Sequence, residues 1–219
     1  DIAFLGPEGT YTHMAAIKHF GGLFHAMPQM RIENVFRAVE VGNADFGIVP
    51  IENSTEGVVN HTLDLLMHSS VQINGEVELE IHHNLLSKKD KFEKITTVYG
   101  HQQSLAQCRS WLDQNLPTAK RVAMSSNTAG VVAAQNDPSS AAIAGEAASD
   151  IYAMPIQAAN IEDQANNTTR FIIIGRDALM PSGDDRTSLL VSAHNKPGAL
   201  HQLLEVFASR SIGLSKIEP

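Results

Sequence analysis

Short apolar runs alternate with amphipathic helical patterns along most of the chain, and this alternation limits the possible folds more than any other feature. The runs at 2–5, 46–51 and 171–174 are almost continuous in apolar residues, which is typical of strands buried on both faces. Helical patterns follow the first two runs, at 11–20 and 58–67. Strands that alternate with helices in this way form βαβ units. The sequence therefore predicts an α/β protein with a parallel or mixed sheet.

The predicted strands fall into two groups, separated by a long extended stretch at 71–86. The run at 171–174 follows the second group and has no helix of its own, so we expect it to cross back to the first group. Two lobes then enclose a cleft, where ligand sites concentrate. We place the first lobe at about 1–76 and 168–178 and the second at about 77–167. The remaining predicted elements are strands at 31–33, 95–99, 121–124 and 141–144 and helices at 35–41, 104–116, 128–135 and 146–151.

The end of the chain has a different organisation. Residues 179–186 lie in a stretch rich in Asp, Gly, Pro and Ser, which predicts a linker. A strand at 187–193, a helix at 198–210 and a second strand at 212–217 are predicted after it. One βαβ piece cannot close a core of its own, so we expect the natural polypeptide to continue beyond Pro219.

The composition excludes several classes of protein. A formal net charge of −8 argues against a general nucleic-acid binder, which would carry basic patches. No run approaches the roughly 18 apolar residues of a membrane span, and no signal-peptide pattern opens the chain. The single cysteine, Cys108, fits a reducing compartment. We therefore expect a soluble, cytoplasmic protein. The ten histidines show no zinc-ligand spacing, and the loop at 6–9 fits neither a P-loop nor a dinucleotide motif, so we expect no metal and no cofactor.

Three turns between a predicted strand and a predicted helix carry small polar residues, at 9–10, 54–55 and 127–128. Such residues cap helices, which is the simpler interpretation of each turn alone. Helix starts also present free N–H groups that bind anions. Three of them facing one cleft would favour an anionic ligand despite the acidic composition.

Six segments of the chain follow one another in the order of a known family pattern. The segments are Gly6–Thr12, Val49–Gly57, His101–Cys108, Asn127–Ala129, Asn167–Phe171 and Asn195–Leu200. Together they resemble the prephenate dehydratase family, over essentially the whole chain, and the last resembles the start of an ACT regulatory domain. The resemblance implies a two-lobed catalytic domain similar to periplasmic binding proteins, with an interlobe cleft, followed by a partial ACT domain of the ferredoxin-like α+β class.

The resemblance also implies an activity. Prephenate would be converted to phenylpyruvate with loss of water and carbon dioxide, on the route to L-phenylalanine. Phenylalanine would inhibit through the ACT domain, and the protein would be a homo-oligomer, a dimer or a tetramer. Arogenate dehydratase is the nearest alternative, since arogenate carries an amino group in place of the side-chain keto group. A non-catalytic sensor of an amino acid or an oxoacid is the alternative from another class.

Site residues are carried over from the resemblance one at a time. Without it, the pair at 168–169 would be ordinary strand residues, Gln107 a surface residue and Arg170 equally a member of a structural ion pair. Thr169 would donate a hydrogen bond to the leaving hydroxyl, and Glu52 could supply the proton if it is protonated or linked through water. The implied catalytic residues are Thr169, Glu52, Asn53 and Gln107; the substrate-binding residues are Thr10, Ser54, Asn127, Thr128 and Arg170; and the effector-binding residues are Asn195, Gly198, Ala199, Leu200 and Glu218.

Overall fold

The computed structural model describes residues 1–89, 92–183, 185–192 and 194–217. It divides into two compact units, Asp1–Leu179 and Met180–Pro219. The first unit contains two β-sheets, each with helices packed on it, which confirms the predicted α/β class with two lobes. Among the described residues, no helix is both long enough and apolar enough to cross a membrane.

The first sheet is mixed and has the strand order β2-β1-β3-β11-β5, with β4 added beside β3. β1 runs parallel to β2 and β3, whereas β11 lies antiparallel between β3 and β5. The last strand therefore crosses back into the first lobe, as predicted. The strands of this sheet are β1 (Ile2–Leu5), β2 (Ala26–Gln29), β3 (Phe46–Asn53), β4 (Gly57–Val58), β5 (Gln72–Glu80) and β11 (Thr168–Gly175).

The second sheet has the order β10-β6-β9-β7-β8. β7 is parallel to β8 and β9, and β6 is antiparallel to β9 and β10. Its strands are β6 (Asn84–Leu86), β7 (Thr97–His101), β8 (Lys120–Met124), β9 (Ser140–Ala144) and β10 (Ile156–Ala158). The helices of the first unit are α1 (Tyr11–Phe20), α2 (Ile32–Glu40), α3 (Asn60–His68), α4 (Gln102–Gln107), α5 (Arg109–Asn115), α6 (Asn127–Asn136) and α7 (Glu146–Tyr152), with a 3₁₀ turn at Phe92–Lys94.

β11 is buried on both faces, which explains its continuous apolar sequence. Ile172 and Ile174 pack into one core cluster with α2, and Phe171 and Ile173 pack into another on the opposite face with α1. Burial of a large apolar side chain contributes about 1.5–3 kcal/mol. A strand with four such residues therefore stabilises both layers of the first lobe.

Two segments cross between the lobes, at 81–83 and at 159–167. They are hydrogen-bonded to each other: the Ile81 N–H donates to the Asn167 carbonyl (2.7 Å), and the Ile161 N–H donates to the His83 carbonyl (2.8 Å). β5 belongs to the first sheet as far as Glu80, whereas the sequence pattern placed the change of lobe near residue 77. The paired crossings put residues of both lobes beside each other.

Some predicted elements differ from the structure. The strand predicted at 31–33 is wrong, because α2 begins at Ile32 and the strand that precedes it, β2, ends at Gln29. Pro28 in β2 is tolerated since this strand lies at the edge of the sheet. The predicted helix at 104–116 is divided at Cys108 into α4 and α5.

The described residues of the second unit form one helix, α8 (Ala199–Ala208), within the range predicted for it. The strands predicted at 187–193 and 212–217 do not form in the described part of these ranges, which lacks residue 193. A strand requires a neighbour to pair its backbone N–H and C=O groups, and these segments have none among the described residues.

Candidate active site

The side chain of Asn53, at the end of β3, is held in one orientation by the turn that follows it. Its Oδ1 accepts hydrogen bonds from the N–H groups of Thr55 (3.0 Å) and Glu56 (3.1 Å). Asparagine favours such turns because its side chain bonds to the backbone two residues later. The Nδ2 group must then point the other way, toward β11.

Thr169 receives that amide group. Asn53 and Thr169 are cross-strand neighbours, and the Asn53 Nδ2 donates to the Thr169 Oγ1 over 2.7 Å. An amide nitrogen can only donate, so the threonine oxygen acts as acceptor and its own proton stays available. No acceptor for that proton is found among the residues that the structure describes. The largely buried Thr169 therefore presents a hydrogen-bond donor.

Asn167, in the second crossing, links this pair to the second lobe. Its Oδ1 accepts from the Asn53 Nδ2 (2.8 Å) and from the Thr55 hydroxyl (3.3 Å). Its own Nδ2 donates to the Gln107 Oε1 (3.3 Å). The Gln107 Nε2 is buried and has no partner in the described part of the chain. Three of the five segments with predicted catalytic or substrate-binding residues thus meet through amide side chains.

His83 and Tyr11 extend the network, and the sequence did not assign either of them to the site. His83 is 1% exposed; its Nε2 lies 2.7 Å from the Gln107 Oε1 and its Nδ1 lies 2.7 Å from the Tyr11 hydroxyl. The sequence shows no zinc-ligand spacing around His83, and the structure places it in the core. Its partners are 24 and 72 residues distant in sequence, so no local pattern could reveal them.

Glu162 fixes the backbone of the first crossing. Its carboxylate accepts from the His83 N–H (2.9 Å) and contacts the His82 Nδ1 (2.8 Å). Burial alone would raise the pKa of Glu162, but these hydrogen bonds outweigh it and lower that pKa. Burial lowers the pKa of His83 despite the opposing effects of Gln107 and Glu162. His83 is therefore neutral at pH 7.

The predicted polar turns have different local roles. Thr10 caps α1, with its Oγ1 accepting from the His13 N–H (3.4 Å). The helix predicted at 58–67 forms as α3, but the turn at 54–55 does not cap it, because Asn53 organises that turn and β4 follows. Ser54 instead binds the start of β11: its N–H donates to the Thr168 carbonyl (2.8 Å), and its Oγ accepts from the Thr168 N–H (2.9 Å).

Asn127 and Thr128 begin α6, but Ser126 caps that helix by accepting from the Ala129 N–H. The side chain of Asn127 is directed into its own lobe, where it accepts from the His101 N–H and donates to the Ser104 hydroxyl, each over 2.8 Å. Thr128 is fully buried, and its hydroxyl has no partner among the described residues. The side-chain amide of Asn127 is therefore already engaged within the second lobe.

Glu52 and Arg170 lie on the opposite face from the Asn53–Thr169 pair. They are cross-strand neighbours joined by an ion pair of 3.3 Å, with Glu76 3.9 Å from the same guanidinium. Consecutive side chains of a strand point to opposite faces. The structure thus does not bring Glu52 or Arg170 to the threonine hydroxyl.

The predicted effector residues belong to the second unit. Gly198 precedes α8 with a φ of 81°, in the left-handed region that favours glycine. Asn195 and Leu200 are exposed, Ala199 begins the helix, and Glu218 lies outside the described residues.

Comparison with known proteins gives matches over nearly the whole chain. The family model described as prephenate dehydratase matches residues 2–179. A bifunctional chorismate mutase/prephenate dehydratase of Stutzerimonas stutzeri is 51% identical over 218 residues, which are 99% of this chain and 60% of that protein. A prephenate dehydratase of Lactococcus lactis subsp. lactis is 38% identical over 224 residues, covering 99% of this chain and 80% of that protein.

Among solved structures, the prephenate dehydratase of Arthrobacter aurescens in complex with L-Phe matches with a TM-score of 0.88 and 31% identity, over 99% of this chain and 75% of that one. The chain spans about three fifths of the length of the bifunctional relative. The family model covers both lobes and every residue of the amide network. The chain therefore belongs to the prephenate dehydratase family.

Proposed function

We propose that the chain converts prephenate to phenylpyruvate. Besides family membership, one observation supports this most directly: the Asn53 amide donates to the Thr169 oxygen and leaves the threonine proton for another acceptor. The substrate carries such an acceptor, the ring hydroxyl that must depart. A buried donor of fixed direction is what stabilises charge developing on a leaving oxygen.

The proposed reaction breaks two bonds and requires no redox step. The bond between the ring and its carboxylate breaks, its electron pair completes the aromatic ring, and carbon dioxide is released. The hydroxyl leaves and takes up one proton from the solvent to become water. Thr169 donates the hydrogen bond that strengthens as the carbon–oxygen bond breaks. We assign no proton transfer to Glu52, since it pairs with Arg170 on the other face of the strands.

Gln107 is the second proposed donor. Its Nε2 is buried without a partner among the described residues, which costs about 1–3 kcal/mol when no ligand compensates it. A carboxylate or keto oxygen of the substrate would recover that cost. We further propose that Thr10, Asn127 and Thr128 contribute through the backbone N–H groups of their turns, because helix starts such as those of α1 and α6 favour anions. Ser54 is proposed to contribute through its side chain and by holding the start of β11 beside the site, since its N–H donates to the Thr168 carbonyl.

Phenylalanine inhibition is the proposed regulation, through the second unit. It is supported by the Arthrobacter aurescens relative, which is a complex with L-Phe, and by the left-handed Gly198 at the start of α8. We propose that the full-length protein is a cytoplasmic homo-oligomer, a dimer or a tetramer.

One steady-state experiment tests the activity. Purified protein is supplied with prephenate or with arogenate, and the release of phenylpyruvate or phenylalanine is measured. Phenylpyruvate formed from prephenate at the higher kcat/KM is the expected result. A higher kcat/KM with arogenate than with prephenate would show that the protein is an arogenate dehydratase. Tight binding of either compound without turnover would show that the protein is a sensor and not an enzyme.

A further inference from the structure

We propose that His83 is a positioning residue, held in one neutral tautomer by Tyr11, that orients the side-chain amide of Gln107 with its NH₂ group toward the substrate. This inference rests on the proposed function and assigns a role to a buried group that does not itself touch the reacting atoms.

The orientation of Gln107 follows from a series of fixed amides that begins at the backbone. Two N–H groups of the turn after β3 fix the Asn53 oxygen. The Asn53 Nδ2 then selects the oxygen of Asn167 (2.8 Å), so the Asn167 Nδ2 faces Gln107 (3.3 Å). A donor must face an acceptor. The oxygen of Gln107 therefore lies toward Asn167, and its NH₂ group lies away from it.

The tautomer of His83 follows from the same requirement. Its Nε2 is 2.7 Å from the Gln107 Oε1, so this nitrogen must carry a proton and donate. Burial lowers the pKa of His83 and so favours the neutral ring. Glu162 raises that pKa, whereas His82 lowers it further. The Nδ1 is then bare and accepts from the Tyr11 hydroxyl (2.7 Å), whose pKa burial raises well above its usual value. The same Tyr11 hydroxyl lies 2.8 Å from the His82 carbonyl, so its one proton is shared between that carbonyl and the His83 Nδ1.

The opposite arrangement leaves buried groups in conflict. With the proton on Nδ1, the bare Nε2 would face the Gln107 oxygen, and two acceptors would meet. If Gln107 flipped to resolve this, its NH₂ group would meet the NH₂ group of Asn167. Each unsatisfied buried group costs about 1–3 kcal/mol, so the network favours a single state.

His83 acts through Gln107 because its own polar atoms are all engaged. The ring nitrogens contact Gln107 and Tyr11, and the N–H donates to Glu162. The side chain is 1% exposed. What it supplies is the direction of the Gln107 Nε2, which lacks a partner among the described residues.

The test is a double-mutant cycle measured with prephenate. His83→Leu should lower kcat by roughly tenfold to a hundredfold with little change in KM, as expected when a donor is misplaced by about 1 Å. Gln107→Leu should cost at least as much. The double variant should be no slower than Gln107→Leu, because His83 has nothing left to orient. Multiplied losses in the double variant would overturn the proposal.

His83→Gln is the matched control. Its amide nitrogen can occupy the place of Nε2 and donate to the Gln107 oxygen, so it should recover most of the rate that His83→Leu loses. His83→Gln as slow as His83→Leu, with both folded, would contradict the inference. Circular dichroism and thermal melting establish folding for each variant.

A second measurement does not depend on turnover. Nitrogen-15 shifts of the His83 ring should report a protonated Nε2 and a bare Nδ1 near pH 7, and Tyr11→Phe should remove the hydrogen bond to Nδ1 and shift its resonance. The opposite tautomer in the parent would refute the positioning role. A parent that shows the expected tautomer but releases no phenylpyruvate would instead refute the proposed function.

Discussion

The arrangement of single side chains around Asn53 explains why two adjacent threonines should differ in function. Thr169 lies across from Asn53 and accepts from its amide, whereas Thr168 is bound through its backbone to Ser54. Adjacent strand residues face opposite sides. Only one of the two hydroxyls is therefore directed by Asn53.

We predict that Thr169→Val lowers kcat by roughly a hundredfold or more, the usual loss for a transition-state donor. The KM for prephenate should change little. Thr168→Val is the matched control and should cost far less, and Thr169→Ser should keep much of the rate because it keeps the hydroxyl. Steady-state kinetics on folded variants checks this. A Thr169→Val enzyme as fast as the parent would remove Thr169 from the mechanism.

The buried, neutral His83 also makes stability depend on pH. Burial lowers its pKa in the folded chain, so below about pH 6.5, the ordinary histidine value, the unfolded chain binds a proton that the folded chain does not. Stability is thus present above that pH and is lost as the pH falls. His13 and His19 are shifted in the same direction, each mainly by burial.

We predict that His83→Gln makes the free energy of unfolding less steep in pH between about 6.5 and 5, since it removes one of these groups. Urea unfolding of parent and variant at several pH values measures the two slopes. Equal slopes for parent and variant would mean that His83 takes up its proton over the same pH range in the folded and the unfolded chain.

The positions of candidate site residues were predictable where a motif was local. Asn53, Thr169 and Gln107 lie in segments that resemble the family, and the structure brings these three into one network. The sequence could not predict which face of the sheet carries Glu52 and Arg170, because that depends on the register of β3 against β11. His83 and Tyr11 were missed because their contacts exist only after both crossings have formed.

At the scale of helices and strands, prediction succeeded where burial dominates the sequence. β1, β3, β9 and β11 are apolar on both faces and were identified from their runs of apolar residues. β2 was not, because an edge strand containing Pro28 has neither alternation nor an apolar run. The strands predicted in the second unit failed for another reason: propensity alone cannot supply a pairing partner.

The start of α8 carries a prediction about regulation. Gly198 has a φ of 81°, and a Cβ there would meet nothing within 4 Å, so Gly198→Ala introduces only backbone strain. In the full-length protein we expect this variant to raise the phenylalanine concentration for half-inhibition by roughly tenfold, within the usual range of coupling between sites. The rate without phenylalanine should stay unchanged. Unaltered inhibition would place the effector site elsewhere.

At the scale of the whole molecule, the proposed site lies beside the paired crossings, and its side chains Asn53, Gln107 and Thr169 are neutral amides and a hydroxyl. The proposed reaction also aromatises its substrate without an electron sink. We therefore predict that exhaustive chelation leaves the rate of phenylpyruvate release unchanged. A loss of activity that one divalent ion restores would contradict this prediction.

The central position of β11 has a consequence for how the chain is made. β11 fills the gap between β3 and β5, so the first sheet stays open until residue 168 and its successors have left the ribosome. The second sheet lies within Asn84–Ala158 and can close earlier during synthesis. Local pairing forms faster than pairing across a long loop. On refolding, pulsed hydrogen exchange should protect β7 and β9 before β1 and β3, so that the lobe synthesised first is the last to be completed.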